Sequence, residues 1–211
     1  MLEKYLTIKV AGQHEIIIDK SRFICSVIRA TDEQSAQEFI QDIKKKHWNA
    51  SHNCSAYLIG ERDQYQKAND DGEPSGTAGV PMLEVLKKKQ LKNVAVVVTR
   101  YFGGVKLGAG GLVRAYGNAV SETCKTLGVV ERSLAIIISC TLDYASHAKF
   151  ENALEKKGYQ MAGISFTDKI VIDVYVDSGD VEPFQKWATD FTNGQIKMHE
   201  TGQKYREKDV N

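Results

Sequence analysis

Across 211 residues no apolar run approaches the roughly 18 that a membrane-spanning helix needs. The start, MLEKYLTIKV, is charged early and has no apolar core followed by a small-residue cleavage site, so no export signal is expected. The four cysteines, Cys25, Cys54, Cys124 and Cys140, are scattered with no Cys-x-x-Cys pair, which argues against a zinc ribbon and against a disulfide framework. A reduced, cytoplasmic setting is the expectation. There is no low-complexity tract, no repeat and, with only three prolines, no proline-rich linker. His-Glu-x-x-His and Gly-x-Ser-x-Gly are absent, and no Gly-Lys-Ser/Thr completes a Walker A loop. Net charge is also small, at +1, but it is unevenly spread. Residues 1–134 carry 19 Lys and Arg against 15 Asp and Glu, while residues 135–211 carry 9 against 12. The first half can therefore meet an anionic partner, though so mild a bias does not require one.

What is present is an alternation of short apolar segments that predicts an α/β (α+β) protein. Tyr5–Val10, His14–Ile18, Phe23–Ile28 and His52–Ile59 read as strands. Thr31, with Gln34 as capping-box partner, opens a helix whose apolar positions are Ala36, Phe39, Ile40 and Ile43. Residues 62–79 read as a long polar loop, and Pro81 suits the first turn of the next helix. Val94–Val98 is a continuous β-branched run, the mark of a buried strand. Thr99–Ala109 reads as a loop and Gly110–Leu127 as a helix stopped by Gly128. From Ala135 onward the predicted order is βαββαβ, ending in a strand at Gln195–Glu200, which is the ferredoxin-like arrangement. Two domains are expected, residues 1–133 and 134–211.

Three stretches carry residues suited to chemistry. The first is Thr99–Arg114, where Gly103, Gly104, Gly108, Gly110 and Gly111 lie between a buried strand and a helix. Glycines let a ligand approach the backbone, and the unpaired N–H groups of a helix start favour phosphate or carboxylate. Arg100, Lys106 and Arg114 add cations, and Tyr101 and Phe102 offer aromatic faces for a base or sugar. The alternative is that the glycines only allow a tight turn and close helix–sheet packing. The second stretch, residues 69–81, places Asp70, Asp71 and Glu73 in one loop with Ser75 and Thr77. These carboxylates suit a hard cation such as Mg2+, an ion pair with Arg100 or Arg114, or simply a solvated turn. In the third, His52 and Cys54 share one face of a strand, which permits a Cys–His nucleophilic pair or a pocket wall but more often means packing.

Taken together, Lys20–Phe23, His52–Cys54, Asp70–Gly79 and Val98–Tyr116 resemble the IMPACT family, also called the YigZ family, in its bacterial two-domain form. The resemblance implies a ribosomal protein S5 domain 2-like fold for the first domain and a ferredoxin-like second domain. It also implies a link to translation, since eukaryotic relatives act in translational control. It carries over no catalytic residue and no cofactor. The resulting expectation is a non-enzymatic regulatory protein that binds RNA, the ribosome or translation factors through the glycine-rich anion site, with no membrane partner. The alternative is an enzyme acting with Mg2+ on a phosphorylated small molecule or nucleotide.

Overall fold

Why these segments become strands is clearest at the centre of the first sheet. In the computed structural model, which describes residues 2–210, the β-branched run extends into β6 (Val94–Tyr101). Branched side chains suit an extended backbone covered on both faces, and Val94 to Val98 are all buried. In chain order before it come β1 (Lys4–Ile8), β2 (Gly12–Ile18), β3 (Ser21–Arg29), helix α1 (Glu33–Lys46), β4 (His52–Ile59), β5 (Tyr65–Asn69) and α2 (Gly79–Lys88). Helix α3 (Gly108–Leu127) follows. The sheet order is β2-β3-β6-β4-β5, antiparallel throughout.

Strand alternation then divides the sheet into two cores. Phe23, Cys54, Val96 and Val98 face α2 and α3 and pack with Met82, Leu86, Leu112, Tyr116 and Val120. Tyr57, Ile59, Ala95 and Val97 face the other way and pack against Ala36 and Ile40 of α1. The predicted α3 face is buried, with Leu127 half-buried at its end.

Several boundaries differ from the sequence reading. Helix α1 is capped by Asp32, whose carboxylate accepts the Ser35 N–H at 2.7 Å, and not by Thr31. Gln34 bonds Glu38 instead of reaching back. The polar loop 62–79 contains β5, an edge strand exposed along most of its length, so it has no apolar alternation to betray it. Thr99, Arg100 and Tyr101 belong to β6, and α3 begins at Gly108.

The chain divides into two compact units, residues 1–132 with 208–211, and residues 133–207. The second holds most of β7 (Val129–Leu142), then α4 (Tyr144–Lys157), β8 (Gln160–Phe166), β9 (Ile170–Val176), a 3-10 turn, α5 (Val181–Phe191) and most of β10 (Lys197–Val210). β9 lies between β7 and β8, antiparallel to both, and β10 pairs with β7. Phe150, Leu154, Phe184 and Ala188 cover the Ile138, Ile172 and Val174 face. β10 runs well beyond the predicted Glu200 and is mostly polar and exposed. Among the described residues no helix is long and apolar enough to cross a membrane.

Candidate functional site

The site begins with strand register. Arg100 on β6 lies opposite Phe23 on β3 and His52 on β4, so all three point to the face covered by α3. Its guanidinium lies 5.4 Å from the Phe23 ring centroid and 5.4 Å from that of Phe102. The residue is only 5 % exposed, and Nη1 donates to Glu73 Oε1 at 2.7 Å. The same Glu73 oxygen accepts the Tyr116 hydroxyl at 2.8 Å. Arg100 is therefore no free surface cation. It is one half of a buried ion pair, because a guanidinium under α3 needs a counter-charge.

His52 completes the cluster. Its Nδ1 is 2.9 Å from the Asp71 carbonyl, which can only accept, so Nδ1 carries the proton. Nε2 then faces Glu73 Oε2 at 3.8 Å. The Cys54 S–H donates to the Asp70 carbonyl at 2.9 Å, with the Tyr116 oxygen 3.3 Å away. Burial pushes the Cys54 thiol up to about 12 and raises Tyr116 as well. A thiol held protonated in this way is not poised as a nucleophile.

The other two loop carboxylates have separate tasks. Helix α2 starts behind Ala78, which cannot cap it. Asp70 supplies the missing acceptor, taking N–H bonds from Gly76, Ala78 and Gly79 at 2.8–3.1 Å. Burial alone would raise Asp70, but these donors outweigh it and hold the carboxyl below its ordinary value. Asp71 accepts Lys44 Nζ at 2.6 Å and the Asn53 N–H at 2.7 Å, tying α1 to β4. It too lies below its ordinary value, its burial being offset mainly by Lys44 and Asn53. Among the described residues no group of three His, Cys, Asp or Glu is placed to hold a metal ion. Thr77 is buried and bonds the Pro74 carbonyl, while Ser75 is exposed on the loop.

Above the ion pair is a recess of about 370 Å³. Its lining includes His52, Glu73, Arg100, Phe102, Lys106 and Gly108, with Pro74, Leu107 and Leu112 supplying apolar wall. It opens at the start of α3. No side chain caps that helix, no acidic residue sits in its first turn, and Gly108, Ala109 and Gly110 are exposed. First-turn amides have no acceptor inside their own helix, so these N–H groups are offered outward with the positive end of the dipole. Gly108 makes this possible by turning the chain into the helix at φ 69°.

The glycine stretch is thus split in role. The Phe102 and Gly103 amides are already used, donating to Ser51 Oγ and Ser21 Oγ. At Gly103 a Cβ would fall 2.1 Å from the Lys20 carbonyl, so this glycine serves close packing. Gly104 is exposed, Gly110 has open space around it, and Gly111 packs on Leu107.

Two predicted residues lie elsewhere. Tyr101 points to the opposite face of the sheet, where its hydroxyl meets His47 and Asn49 and Arg22 covers its ring at 5.3 Å. One residue along a strand reverses the face, which is why Tyr101 cannot share the recess with Arg100. Arg114 is exposed, bonds the Gly110 carbonyl and lines a different groove with Val80, Lys88 and Gly117. Sequence reasoning missed Tyr116, whose helical spacing marked it as core. Its buried hydroxyl needed a partner, and that was the available signal.

These features define an α+β protein of two units, the first carrying a recess of about 370 Å³ where a strand, an acidic loop and a helix start meet. The Impact N-terminal domain matches residues 19–124, and a domain of unknown function (DUF1949) matches residues 140–195. The chain belongs to the IMPACT family. It is 56% identical to IMPACT family member YvyE of Bacillus subtilis (strain 168), covering 100% of this chain and 97% of that protein. It is 34% identical to an IMPACT family member of Haemophilus influenzae over 92% of this chain and 96% of the relative. A crystal structure described as that of an hypothetical protein is similar with a TM-score of 0.61 and 28% identity, covering 94% of this chain and 97% of the other.

Proposed function

We propose that the recess binds phosphate, and that the protein is a non-enzymatic cytoplasmic factor that meets RNA or the ribosome through it. The observation that carries this is the uncapped start of α3, whose exposed first residues Gly108 and Ala109 line the recess beside Lys106. Unpaired amides, a helix dipole and an ammonium group together suit a phosphate oxygen. The link to translation rests on family membership. The groups that would do chemistry are otherwise engaged, since Asp70 caps a helix, Asp71 bridges two elements and Cys54 is a protonated, buried thiol.

The test is binding of single-stranded RNA and co-sedimentation with ribosomes as salt is varied. Affinity falls with rising salt, and Lys106→Ala lowers the slope of log K against log salt by about 0.7, as expected for one lost phosphate contact on a single strand. Lys106 is exposed, so the substitution leaves the fold intact. Absence of RNA and ribosome association at low salt would end the proposal.

A further inference from the structure

We infer that the recess takes one nucleotide with a terminal phosphate, either free or at an RNA end, and not a run of bases. This rests on the phosphate-binding reading above and narrows it. Three further observations point to the ligand class. First, the Arg100 side chain is 6 % exposed and lines the recess, yet its Nε is buried with no acceptor. A buried donor left unpaired in the wall of an open recess is a place for a ligand oxygen. Second, an acceptor in the same wall is also unmatched. Glu73 Oε2 has no donor within hydrogen-bond reach, with His52 Nε2 3.8 Å away. Bare phosphate would meet the Glu73 carboxylate with repulsion. A ribose hydroxyl or an exocyclic amine brings the donor this oxygen lacks, while the nucleotide's phosphate sits on Gly108, Ala109 and Lys106.

Third, among the described residues Phe102 is the one phenylalanine, tyrosine or tryptophan ring in the recess lining. Phe102 is 49 % exposed at its rim, whereas the Tyr101 ring is on the other face under Arg22. Proteins that read a strand of bases set out successive aromatic faces. A single face in about 370 Å³, at the small end of the roughly 300–1,000 Å³ typical of small-molecule pockets, accommodates one base. Pro74, Leu107 and Leu112 supply the remaining apolar contact.

The experiment is calorimetric titration of the full chain with AMP, adenosine and inorganic phosphate, and with one short RNA carrying either a 5′-phosphate or a 5′-hydroxyl. AMP is expected to bind at least about tenfold more tightly than adenosine or phosphate, and Phe102→Ala to weaken AMP about fivefold or more, the low end of a stacking contribution. Tighter binding of the phosphorylated RNA end assigns the site to RNA termini. AMP binding without that difference assigns it to a free nucleotide. Both results support the inference. RNA that binds with salt dependence but equally well with either end, while AMP does not bind, overturns the inference and leaves the RNA reading standing. No binding by any probe overturns both.

Discussion

Removing Glu73 tests whether the pair beneath the recess is as dry as the structure shows. Its side chain is 3 % exposed and that of Arg100 6 %, so neither charge is well solvated. Glu73→Leu keeps approximate volume but leaves Arg100 without its counter-ion, a loss of about 3–5 kcal/mol for a buried pair. The Tyr116 hydroxyl loses its acceptor at the same time, which places the expected cost near the top of that range. Arg100→Met should cost a comparable amount by stranding the carboxylate. The double variant Glu73→Leu/Arg100→Met should recover most of the loss, to within about 2 kcal/mol of the parent, because apolar replacement of a whole buried pair is often close to neutral. Urea unfolding followed by far-ultraviolet circular dichroism measures all four states of the cycle. If either single substitution costs less than about 1 kcal/mol, the pair behaves like an exposed one. Water would then reach the guanidinium, and the unpaired Nε would lose its meaning as a ligand contact.

Other consequences are more local. Asp70→Ala should cost about 0.5–2 kcal/mol at neutral pH, as loss of a helix cap does. Because Asp70 and Asp71 are held below their ordinary values in the fold, the stability they contribute is complete above the unfolded carboxylate pKa near 4 and is lost as pH falls through the lower folded values. Asp70→Asn should accordingly flatten the acid limb of a stability-against-pH curve. An unchanged limb would mean that the three amides do not hold this carboxylate. Two glycines should part company under substitution by alanine. Gly103→Ala, whose Cβ would fall 2.1 Å from the Lys20 backbone, should destabilise by about 1–3 kcal/mol. Gly110→Ala, with nothing within 4 Å, should be neutral or stabilising by a few tenths to about 1 kcal/mol. Equal effects in thermal melts would refute this division of the glycine stretch.

The apolar segments were readable because burial leaves a period. Val94–Val98, the α3 face and the βαββαβ order of the second unit are all written in spacing. β5 and the far end of β10 were not, since exposed edge-like strands of mixed polar residues have no period. The family motifs located the site but not its wiring. Spacing places Arg100 beside the helix start and leaves the acidic loop as one of its possible partners. It did not show that Arg100 would be turned inward, because that depends on where the β6 run ends. Had β6 stopped at Val98, as its apolar pattern implies, both Arg100 and Tyr101 would have been loop residues free to face a ligand. Three more residues of register decide instead that Arg100 joins Phe23 and His52 while Tyr101 faces away.

That register also decides how much attraction the recess can exert. Arg100 spends its charge on Glu73, so the pair contributes direction and little net field. The net positive character comes from Lys106 and from the roughly half charge at the start of α3. A site whose attraction is about one and a half charges, exposed to solvent and ions, holds a lone phosphate weakly. Useful affinity must then come from contacts that salt does not screen, namely the Phe102 ring, the Pro74, Leu107 and Leu112 wall, and the unmatched donor of Arg100 and acceptor of Glu73. Under the proposed function, the burial of Arg100 costs the site general attraction for polyanions and gives it discrimination. The groups attached to the phosphate, more than the phosphate itself, should determine what binds.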